Sequence, residues 1–325
     1  MDLNIATYQG HGWSPRVLTN REESNLGQYW PSFGVTDQYS DLKLAALCLP
    51  NPQWPSPTNW NTIQYVKAVR FDQLRSELQN YAQILQEHGV NVFLHELPLA
   101  MKDGRIPYNA IFARDLLTIT PEGAICSRMA SLVRRGEELQ AQDLITRLGV
   151  PMIFGVNGSG VFEGADMIWA DEKNVLVGVG IRTNQSAFEQ ISAVLHLQGV
   201  EAHAVPISGR FQHLLGILQI VSRRLAFVRA DYAPTQLSKI LQNFGMRVVA
   251  LEETWEVTHM QAMNFLPIRD NAIIMSADTP LFRQVVEAYD VEVLAEVPVQ
   301  ELIAAGGGLG CATAIVRREM VPLSG

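Results

Sequence analysis

A single cysteine near the C-terminal end of the sequence follows a dense cluster of glycines. Four of the five residues at 306–310 are glycine, and Cys311 comes directly after them. Glycine permits close backbone approaches, but it weakens an ordinary strand. The segment therefore has two interpretations. It either holds a nucleophilic thiol beside a small ligand, or it is a glycine-rich turn into a strand, with the cysteine as a small buried hydrophobe.

The other two cysteines compete for the role of nucleophile. Cys48 lies within the apolar segment 44–49 and Cys126 within the strand-like segment 124–128, so we interpret both as structural. Three sparse cysteines with no close pair indicate a reducing compartment rather than a disulfide framework. We expect a cytoplasmic location, because the sequence shows neither a signal peptide nor an apolar run of membrane-spanning length.

No pattern in the sequence indicates a metal or a cofactor. His88 and His196 are not spaced from carboxylates or cysteines as metal ligands are. Gly155, Gly158 and Gly160 follow a strand pattern but lead into no helix, which argues against a dinucleotide-binding fingerprint. The net charge is −8 and no Lys/Arg cluster is present. Nucleic acid is therefore not an expected partner, whereas a small cation would suit the acidic chain.

Five segments of the sequence end in the same pattern, and the structure that they form must position any site around Cys311. In each segment an amphipathic helix pattern stops at a break, and a short β-branched strand follows. The breaks are Gly89, Gly149, Gly199, Gly245 and Asp290. Glycine is the usual left-handed residue after a helix, and aspartate is a tolerated substitute.

Strand and helix patterns fill the intervals between the breaks. The paired strand patterns are 111–118 with 124–128, 167–170 with 175–178, 215–221 with 225–228, and 263–266 with 272–275. Apolar residues at helical spacing predict the buried helix faces. In the first helix these are Leu74, Leu78, Tyr81 and Leu85, and in the fifth they are Leu281, Val285 and Tyr289.

Five units that cannot bury a sheet face alone would close around an axis. The predicted fold class is therefore α/β, a fivefold pseudo-symmetric α/β propeller of ββαβ-type repeats around a central active site. We expect one catalytic domain over residues 1–325, with an N-terminal arm at 1–38 and the propeller at 39–325. The arm is interpreted as packed on the surface, with a lid as the alternative.

The repeats and a series of short motifs together resemble the pentein superfamily of guanidino-modifying enzymes. This superfamily includes arginine deiminases, dimethylarginine dimethylaminohydrolases and amidinotransferases. The resemblance covers residues 34–319. The similar motifs are, in chain order, the opening strand at 34–42, Arg114-Asp115, Glu163-Gly164-Ala165-Asp166, Arg182-Thr183-Asn184, His213 and the segment 307–311.

The resemblance implies catalytic roles for Cys311, His213 and Glu163. A guanidinium is a poor electrophile, so attack on its carbon needs a strong nucleophile, carboxylates that hold the cation, and an acid for the leaving nitrogen. Cys311 would supply the thiolate, and His213 would shuttle the proton. Asp115 and Glu163 would hold the substrate guanidinium. Asp166 would either bind substrate or orient its own loop.

Three more residues have roles in substrate binding by the same resemblance. Arg182 would bind a substrate α-carboxylate, with a structural salt bridge as the alternative. Arg114 would buttress the carboxylates. Gly310 and its neighbours would let the flat cation lie against the backbone beside Cys311. The implied enzyme needs no metal and no cofactor.

One position departs from the pattern of the deiminases and amidinotransferases. They typically have aspartate two residues after the histidine, where this sequence has Leu215. The dimethylaminohydrolase branch also lacks that aspartate and carries the Arg-Thr-Asn segment. Both features favour a cysteine-dependent hydrolase acting on the C–N bond of an arginine-like guanidine.

Two alternatives to a hydrolase stay open. An amidinotransferase would share the first half-reaction, and a protein that binds guanidines without turnover is the third interpretation. The expected partner is a small cationic guanidino substrate, without nucleic acid or membrane. A homo-oligomer is left open.

Overall fold

The five predicted breaks adopt a left-handed conformation in the structure, a computed structural model that describes residues 4–209 and 211–319. The φ angles are +81° at Gly89, +69° at Gly149, +74° at Gly199, +80° at Gly245 and +60° at Asp290. Each break ends a helix and turns the chain into the next strand, as predicted. Residues 1–3 and 320–325 of the predicted single domain lie outside the described residues.

Fifteen strands form within the described residues, and they group into five sheets of three. In chain order they are β1 Leu42–Leu49, β2 Asn91–Glu96, β3 Leu117–Thr120, β4 Gly123–Cys126, β5 Met152–Gly155, β6 Met167–Asp171, β7 Asn174–Val179, β8 Glu201–Pro206, β9 Leu218–Ser222, β10 Leu225–Arg229, β11 Arg247–Leu251, β12 Leu266–Arg269, β13 Ala272–Ser276, β14 Glu292–Val297 and β15 Thr313–Arg318.

Each sheet has an inner, a middle and an outer strand. The inner and middle strands are antiparallel, as β3 and β4 are, and the outer strand runs parallel to the middle one, as β5 does. A helix makes the parallel crossover between the middle and outer strands. The sheets are β15-β1-β2, β3-β4-β5, β6-β7-β8, β9-β10-β11 and β12-β13-β14. Five equivalent ββαβ blades confirm the predicted α/β propeller, and β15 completes the first blade.

The α-helices of the described chain include one long crossover helix in each blade. They are α1 Asn20–Asn25, α2 Phe71–Glu87, α3 Ala113–Leu116, α4 Glu138–Leu148, α5 Gln185–His196, α6 Thr235–Asn243, α7 Trp255–His259, α8 Pro280–Glu287, α9 Gln300–Ala304 and α10 Leu309–Ala312. Short 3-10 turns lie at Ala6–Tyr8, Trp60–Ile63, Tyr108–Ile111, Gly164–Asp166 and Leu214–Gly216. No helix in this set is both long enough and apolar enough to cross a bilayer.

The buried face of the first crossover helix is the predicted one, but that of the fifth is not. Helix α2 buries Leu74, Leu78, Tyr81 and Leu85. In α8 the buried side chains are Phe282 and Val286, whereas Leu281 is 59% exposed. The centroid of the Phe282 ring lies 6.0 Å from that of Phe265, so the buried face is one position further along the chain than predicted.

Helical turns precede several inner strands where the sequence predicted continuous strand. Of the predicted segment 111–118, α3 takes the centre and β3 begins only at Leu117. The 3-10 turn Leu214–Gly216 precedes β9 in the same way, and α10 precedes β15. A strand alternates its side chains between two sheet faces. The helical turns instead direct polar side chains toward the propeller axis.

The N-terminal arm contacts the turn between β3 and β4. Thr19 caps α1 in a reciprocal capping box with Glu22. The Asn20 side chain donates a hydrogen bond of 3.0 Å to the carbonyl oxygen of Glu122, and the Glu122 carboxylate accepts from the Asn20 backbone. These contacts fix the described part of the arm on the second blade.

Candidate active site

A cavity of about 290 Å³ opens at the propeller axis, where the inner ends of the blades meet. Its volume suits a small molecule rather than a macromolecule. The lining residues are Gln64, Asn109, Phe112, Asp115, Arg134, Arg182, Phe211, Gln212, His213, Leu215, Gly216, Arg229, Thr258, Gln261, Asn264, Ala305, Gly306, Gly307 and Cys311. Four predicted site residues, Asp115, Arg182, His213 and Cys311, thus share one cavity wall.

Cys311 lies half-buried on α10, immediately before β15. Its sulfur accepts a hydrogen bond of 2.9 Å from the side-chain amide of Asn264. Burial and then the charge of Asp115 raise the pKa of the thiol to about 11. The other cysteines, Cys48 and Cys126, are fully enclosed in strands, and burial raises the pKa of both. Cys311 is therefore the one cysteine of the described chain that faces the cavity.

His213 begins the 3-10 turn of the fourth blade and donates from Nε2 to Glu163 at 2.7 Å. Burial lowers the pKa of His213, but Asp115 and Glu163 outweigh that effect and raise it to about 9. Burial raises the pKa of Glu163, yet Arg134, His213 and Arg182 together hold it well below its usual range. Both groups are thus charged at neutral pH, and the imidazolium can act as an acid.

Glu163 is not in the cavity wall, which differs from the expected contact with substrate. Its side chain is 0% exposed. Besides His213, it accepts from Arg182 at 3.2 Å and from the Ala130 backbone at 3.3 Å. In this structure the Glu163 carboxylate therefore contacts His213, and its contact with the substrate stays a prediction.

Asp115 carries an unused acceptor in the cavity. Its Oδ2 atom accepts from Arg134 at 2.6 Å. Its Oδ1 atom is buried, has no hydrogen-bond partner among the described residues, and lies 3.8 Å from Nδ1 of His213. A buried oxygen without a donor is costly. Asp115 Oδ1 is therefore an acceptor ready for the N–H group of a ligand.

Asp166 is buried next to the loop that carries His213 and does not line the cavity. Only 1% of the residue is exposed, and its carboxylate accepts from the Thr183 hydroxyl at 2.6 Å and from the Leu214 backbone at 2.9 Å. Burial raises its pKa to about 7. A Cβ atom at Gly178 would lie 2.5 Å from Asp166 Oδ1, so this glycine makes room for the carboxylate. These contacts hold the loop that carries His213, which is a role that neither predicted alternative named.

The two arginines of the predicted site face different ways. Arg182 lines the cavity, where it bonds to Glu163 and donates to the Gln212 side chain at 3.0 Å. Arg114 instead donates to the Gly310 carbonyl at 3.5 Å and does not line the cavity. Burial lowers the pKa of Arg114 to about 10. Its expected contact with the carboxylates is made by another residue, Arg134.

Sequence reasoning missed Arg134. Its side chain is 2% exposed and forms ion pairs with Asp115, Glu163 and, at 2.8 Å, Glu137. The only sequence signal is the spacing of Arg134 and Glu137, which are three residues apart and can pair within one turn. The adjacent Arg135 is exposed, and the sequence gives no means to tell the two arginines apart.

The glycines before Cys311 also differ from expectation. A Cβ atom at Gly307 would lie 2.3 Å from the Phe112 ring, and one at Gly310 would lie 2.8 Å from Oδ1 of Asn264. Gly310 does not line the cavity. Gly307 and Gly310 therefore make room for neighbouring protein side chains, while Gly306 and Gly307 also line the cavity, and contact of this segment with a flat ligand stays a prediction.

Asp115, Glu163 and His213 offer one ligand atom each within 4.8 Å of one another, a spacing that could hold a metal ion. Arg134 donates to both carboxylates at this point. Arg182 and the His213 imidazolium also bond to Glu163, so the two negative charges are already compensated by buried cations, and this donor set does not fit a divalent cation well. The expectation of an enzyme without metal or cofactor stays a prediction.

Comparison with known proteins places the chain among enzymes that act on guanidino groups. The sequence profile of a family described as N,N dimethylarginine dimethylhydrolase, eukaryotic, matches residues 61–318. A curated relative, the uncharacterized protein YkgA of Bacillus subtilis (strain 168), is 26% identical over 234 residues, which are 71% of this chain and 76% of the relative.

Solved structures share the fold at low identity. A cysteine-to-serine mutant of dimethylarginine dimethylaminohydrolase from Pseudomonas aeruginosa, complexed with citrulline, is 18% identical with a TM-score of 0.66, covering 84% of this chain and 99% of that one. The amidinotransferase SxtG of Microseira wollei is 14% identical with a TM-score of 0.72, covering 90% and 99%. The N-terminal domain of ArgZ, covalently bound to a reaction intermediate, is 17% identical with a TM-score of 0.70, covering 86% and 99%; ArgZ is an arginine dihydrolase from cyanobacteria.

The five-bladed fold and these comparisons define a guanidino-modifying enzyme of the pentein superfamily, as the resemblance implied. The family match extends over more than half of the sequence. The chain therefore belongs to the family described as N,N dimethylarginine dimethylhydrolase, eukaryotic.

Proposed function

We propose that the protein is a cysteine-dependent hydrolase that cleaves a C–N bond of arginine or an N-substituted arginine-like guanidine. The observation that carries the proposal is the meeting of three groups in one cavity: the Cys311 thiol, the His213 imidazolium and the unpartnered oxygen of Asp115. A planar guanidinium suits a buried carboxylate oxygen because its N–H groups form charge-assisted hydrogen bonds.

Binding of the cation would activate the thiol. At neutral pH Cys311 is protonated, since burial and Asp115 raise its pKa to about 11. A guanidinium paired with Asp115 offsets that negative charge and adds a positive charge near the sulfur, and both effects favour the thiolate. The thiol proton leaves to solvent because His213, whose pKa is raised to about 9, already carries one.

The thiolate then attacks the central carbon of the guanidinium and forms a C–S bond. The His213 imidazolium protonates the leaving nitrogen, the C–N bond breaks, and an amine or ammonia departs. The product of this half-reaction is an amidino group bound to Cys311 as a thioether. Glu163 accepts from His213 throughout, so it stabilises the charged form of the acid before the transfer.

Neutral His213 completes the cycle as a base. It takes a proton from water, whose oxygen attacks the amidino carbon, and the C–S bond breaks to release a urea and the thiolate. Arg182 now donates a hydrogen bond to the neutral side-chain oxygen of Gln212. With an amino-acid substrate bound, it would donate to the α-carboxylate of the substrate instead. Exchange of a neutral acceptor for a carboxylate strengthens the hydrogen bond.

Mass spectrometry of protein mixed with arginine and N-methylated arginines tests the proposal. We expect a Cys311 adduct with the mass of the substrate minus the departed ammonia or methylamine, together with a citrulline-type product. The Cys311→Ala variant should lose both, whereas the matched control Cys48→Ala, which removes a buried thiol outside the cavity, should keep both. Unchanged turnover in Cys311→Ala would contradict the covalent mechanism.

A panel of amines in the same reaction separates the hydrolase from a transferase. Both activities begin with attack of Cys311 on the guanidinium carbon. They differ in which nitrogen leaves, and in whether water or an amine then attacks the carbon bound to sulfur. A new guanidino product without the citrulline-type product would replace the hydrolase proposal with amidino transfer. Binding of guanidines without an adduct or any product would leave only a binding protein.

A further inference from the structure

The fifth blade contributes an amide to the same cavity. Asn264 lies two residues before the inner strand β12, as Asp115 lies two residues before β3 and Cys311 two residues before β15. It lines the cavity and is 5% exposed. The four other blades supply Cys311, Asp115, Glu163 and His213, so Asn264 is the contribution of the one blade to which sequence reasoning assigned no site residue.

Both ends of the Asn264 amide are bonded to Cys311. Its Oδ1 atom accepts from the Cys311 backbone at 3.0 Å, and its Nδ2 atom donates to the sulfur at 2.9 Å. The orientation of the amide is determined because a backbone N–H group can only donate. Oδ1 must therefore face that group, and an N–H group must face the sulfur.

The backbone of Asn264 and two glycines complete this arrangement. The Asn264 carbonyl accepts from the Gly310 backbone at 3.0 Å. A Cβ atom at Gly308 would lie 2.7 Å from the Cβ atom of Asn264, and one at Gly310 would lie 2.8 Å from its Oδ1 atom. The glycine cluster before the nucleophile thus has a specific partner, since larger residues at either position would displace Asn264.

We propose that Asn264 is a positioning residue for the nucleophile, which fixes the backbone of Cys311 and stabilises its thiolate by donating a hydrogen bond to the sulfur. This inference rests on the proposed function and deepens it by naming what holds the thiolate. A hydrogen bond to the charged form favours that form. Around the same sulfur, Asp115 disfavours the thiolate and Arg114 favours it, while His213 lines the same cavity.

Alkylation of Cys311 by iodoacetamide as a function of pH tests the proposal without any substrate. The labelled peptide is quantified by mass spectrometry, which separates Cys311 from Cys48 and Cys126. Asn264→Asp keeps the shape and the acceptor for the Cys311 backbone but replaces the donor with a negative oxygen. We expect its alkylation midpoint to rise by about one pH unit or more, so that labelling near neutral pH slows about tenfold.

Gln261→Glu is the matched control because it adds the same charge to the same cavity wall without a bond to the sulfur. We expect a smaller shift of the midpoint there than in Asn264→Asp. Gly310→Ala should raise the midpoint in the same direction by displacing Asn264, and it serves as a second variant if Asn264→Asp fails to fold.

Equal midpoints in the wild type and in a folded Asn264→Asp or Gly310→Ala variant would overturn the role of Asn264. A shift in Gln261→Glu as large as that in Asn264→Asp would do the same, because charge alone would then explain it. Guanidine turnover by the wild type is measured separately. Its absence would defeat the proposed function and leave the alkylation result standing.

Discussion

Replacement of Arg134 by methionine removes a cation that bridges three buried carboxylates. Arg134 pairs with Asp115 at 2.6 Å, with Glu137 at 2.8 Å and with Glu163 at 3.2 Å, and it also donates to the Asn109 carbonyl at 3.1 Å. Methionine has a similar length and no charge. The variant therefore leaves the carboxylates in place without their shared partner.

The expected cost is large because water cannot replace the lost partner. The Arg134 side chain is 2% exposed and those of its three partners are at most 5% exposed, so solvent screening does not reduce the loss. Removal of one partner from a buried ion pair costs about 3–5 kcal/mol. For a chain of 325 residues that corresponds to a fall in the melting temperature of about 4–7 °C.

Acid should reduce the difference in melting temperature between the wild type and Arg134→Met. Burial raises the pKa of Glu163, but the charge of Arg134 is the first of the effects that outweigh burial and hold this pKa below its usual range. That contribution to stability is present above the pKa of an unfolded glutamate, about 4.3, and is lost as the pH falls through the lower folded-state pKa. The gap in melting temperature is therefore largest near neutral pH and shrinks below a pH of about 4.

Thermal unfolding followed by circular dichroism at pH 7 and pH 3 provides the assay. Arg135→Met is the matched control, since the neighbouring arginine is exposed and makes no ion pair among the described residues. A melting temperature for Arg134→Met within about 1 °C of this control at pH 7 would refute the reasoning. A gap that grows in acid would refute the assignment of the loss to unpaired carboxylates.

The value of kcat/KM should rise tenfold per pH unit up to a pH of about 9, level off, and fall above a pH of about 11. The reason is that turnover needs the Cys311 thiolate and the His213 imidazolium together. A bell-shaped profile of kcat/KM centred on pH 6 would contradict this order of pKa values. Asp115→Asn should slow guanidine turnover yet speed iodoacetamide labelling of Cys311 at neutral pH, because the carboxylate raises the pKa of the thiol; slower labelling would show that Asp115 acts on the sulfur in another way. Arg182→Gln should raise KM for arginine more than for a guanidine without an α-carboxylate, and an equal effect on both substrates would remove Arg182 from carboxylate binding.

The repeat pattern predicted the blades because each unit ends at a conformationally special residue. Gly89, Gly149, Gly199, Gly245 and Asp290 all have positive φ angles. Such residues punctuate a sequence strongly, and the periodicity around them is local information. The same patterns could not show the helical turns α3 and α10, since these depend on packing at the axis rather than on the period of the sequence.

Sequence reasoning singled out a site residue where its residue type has few competitors, and it missed one where several residues are alike. Cys311 had only two rivals, and both lie in apolar strands. Arg134 and Arg135 are identical neighbours, and only the tertiary position of Asp115 distinguishes the buried one. Asn264 was missed because an asparagine in a turn has an ordinary local explanation.

Strand β15 joins the last part of the described chain to the first blade. It pairs with β1, and Arg318 within it donates to the carbonyl oxygen of Ser40, 278 positions away. Contacts of such long sequence separation are slow to form, so ring closure is expected late in folding. Cys311 directly precedes this strand, and the backbone that aims its sulfur is therefore fixed only when the ring closes. During synthesis the carboxylates and the histidine emerge before the thiol does, so a partly made chain cannot carry out the proposed chemistry.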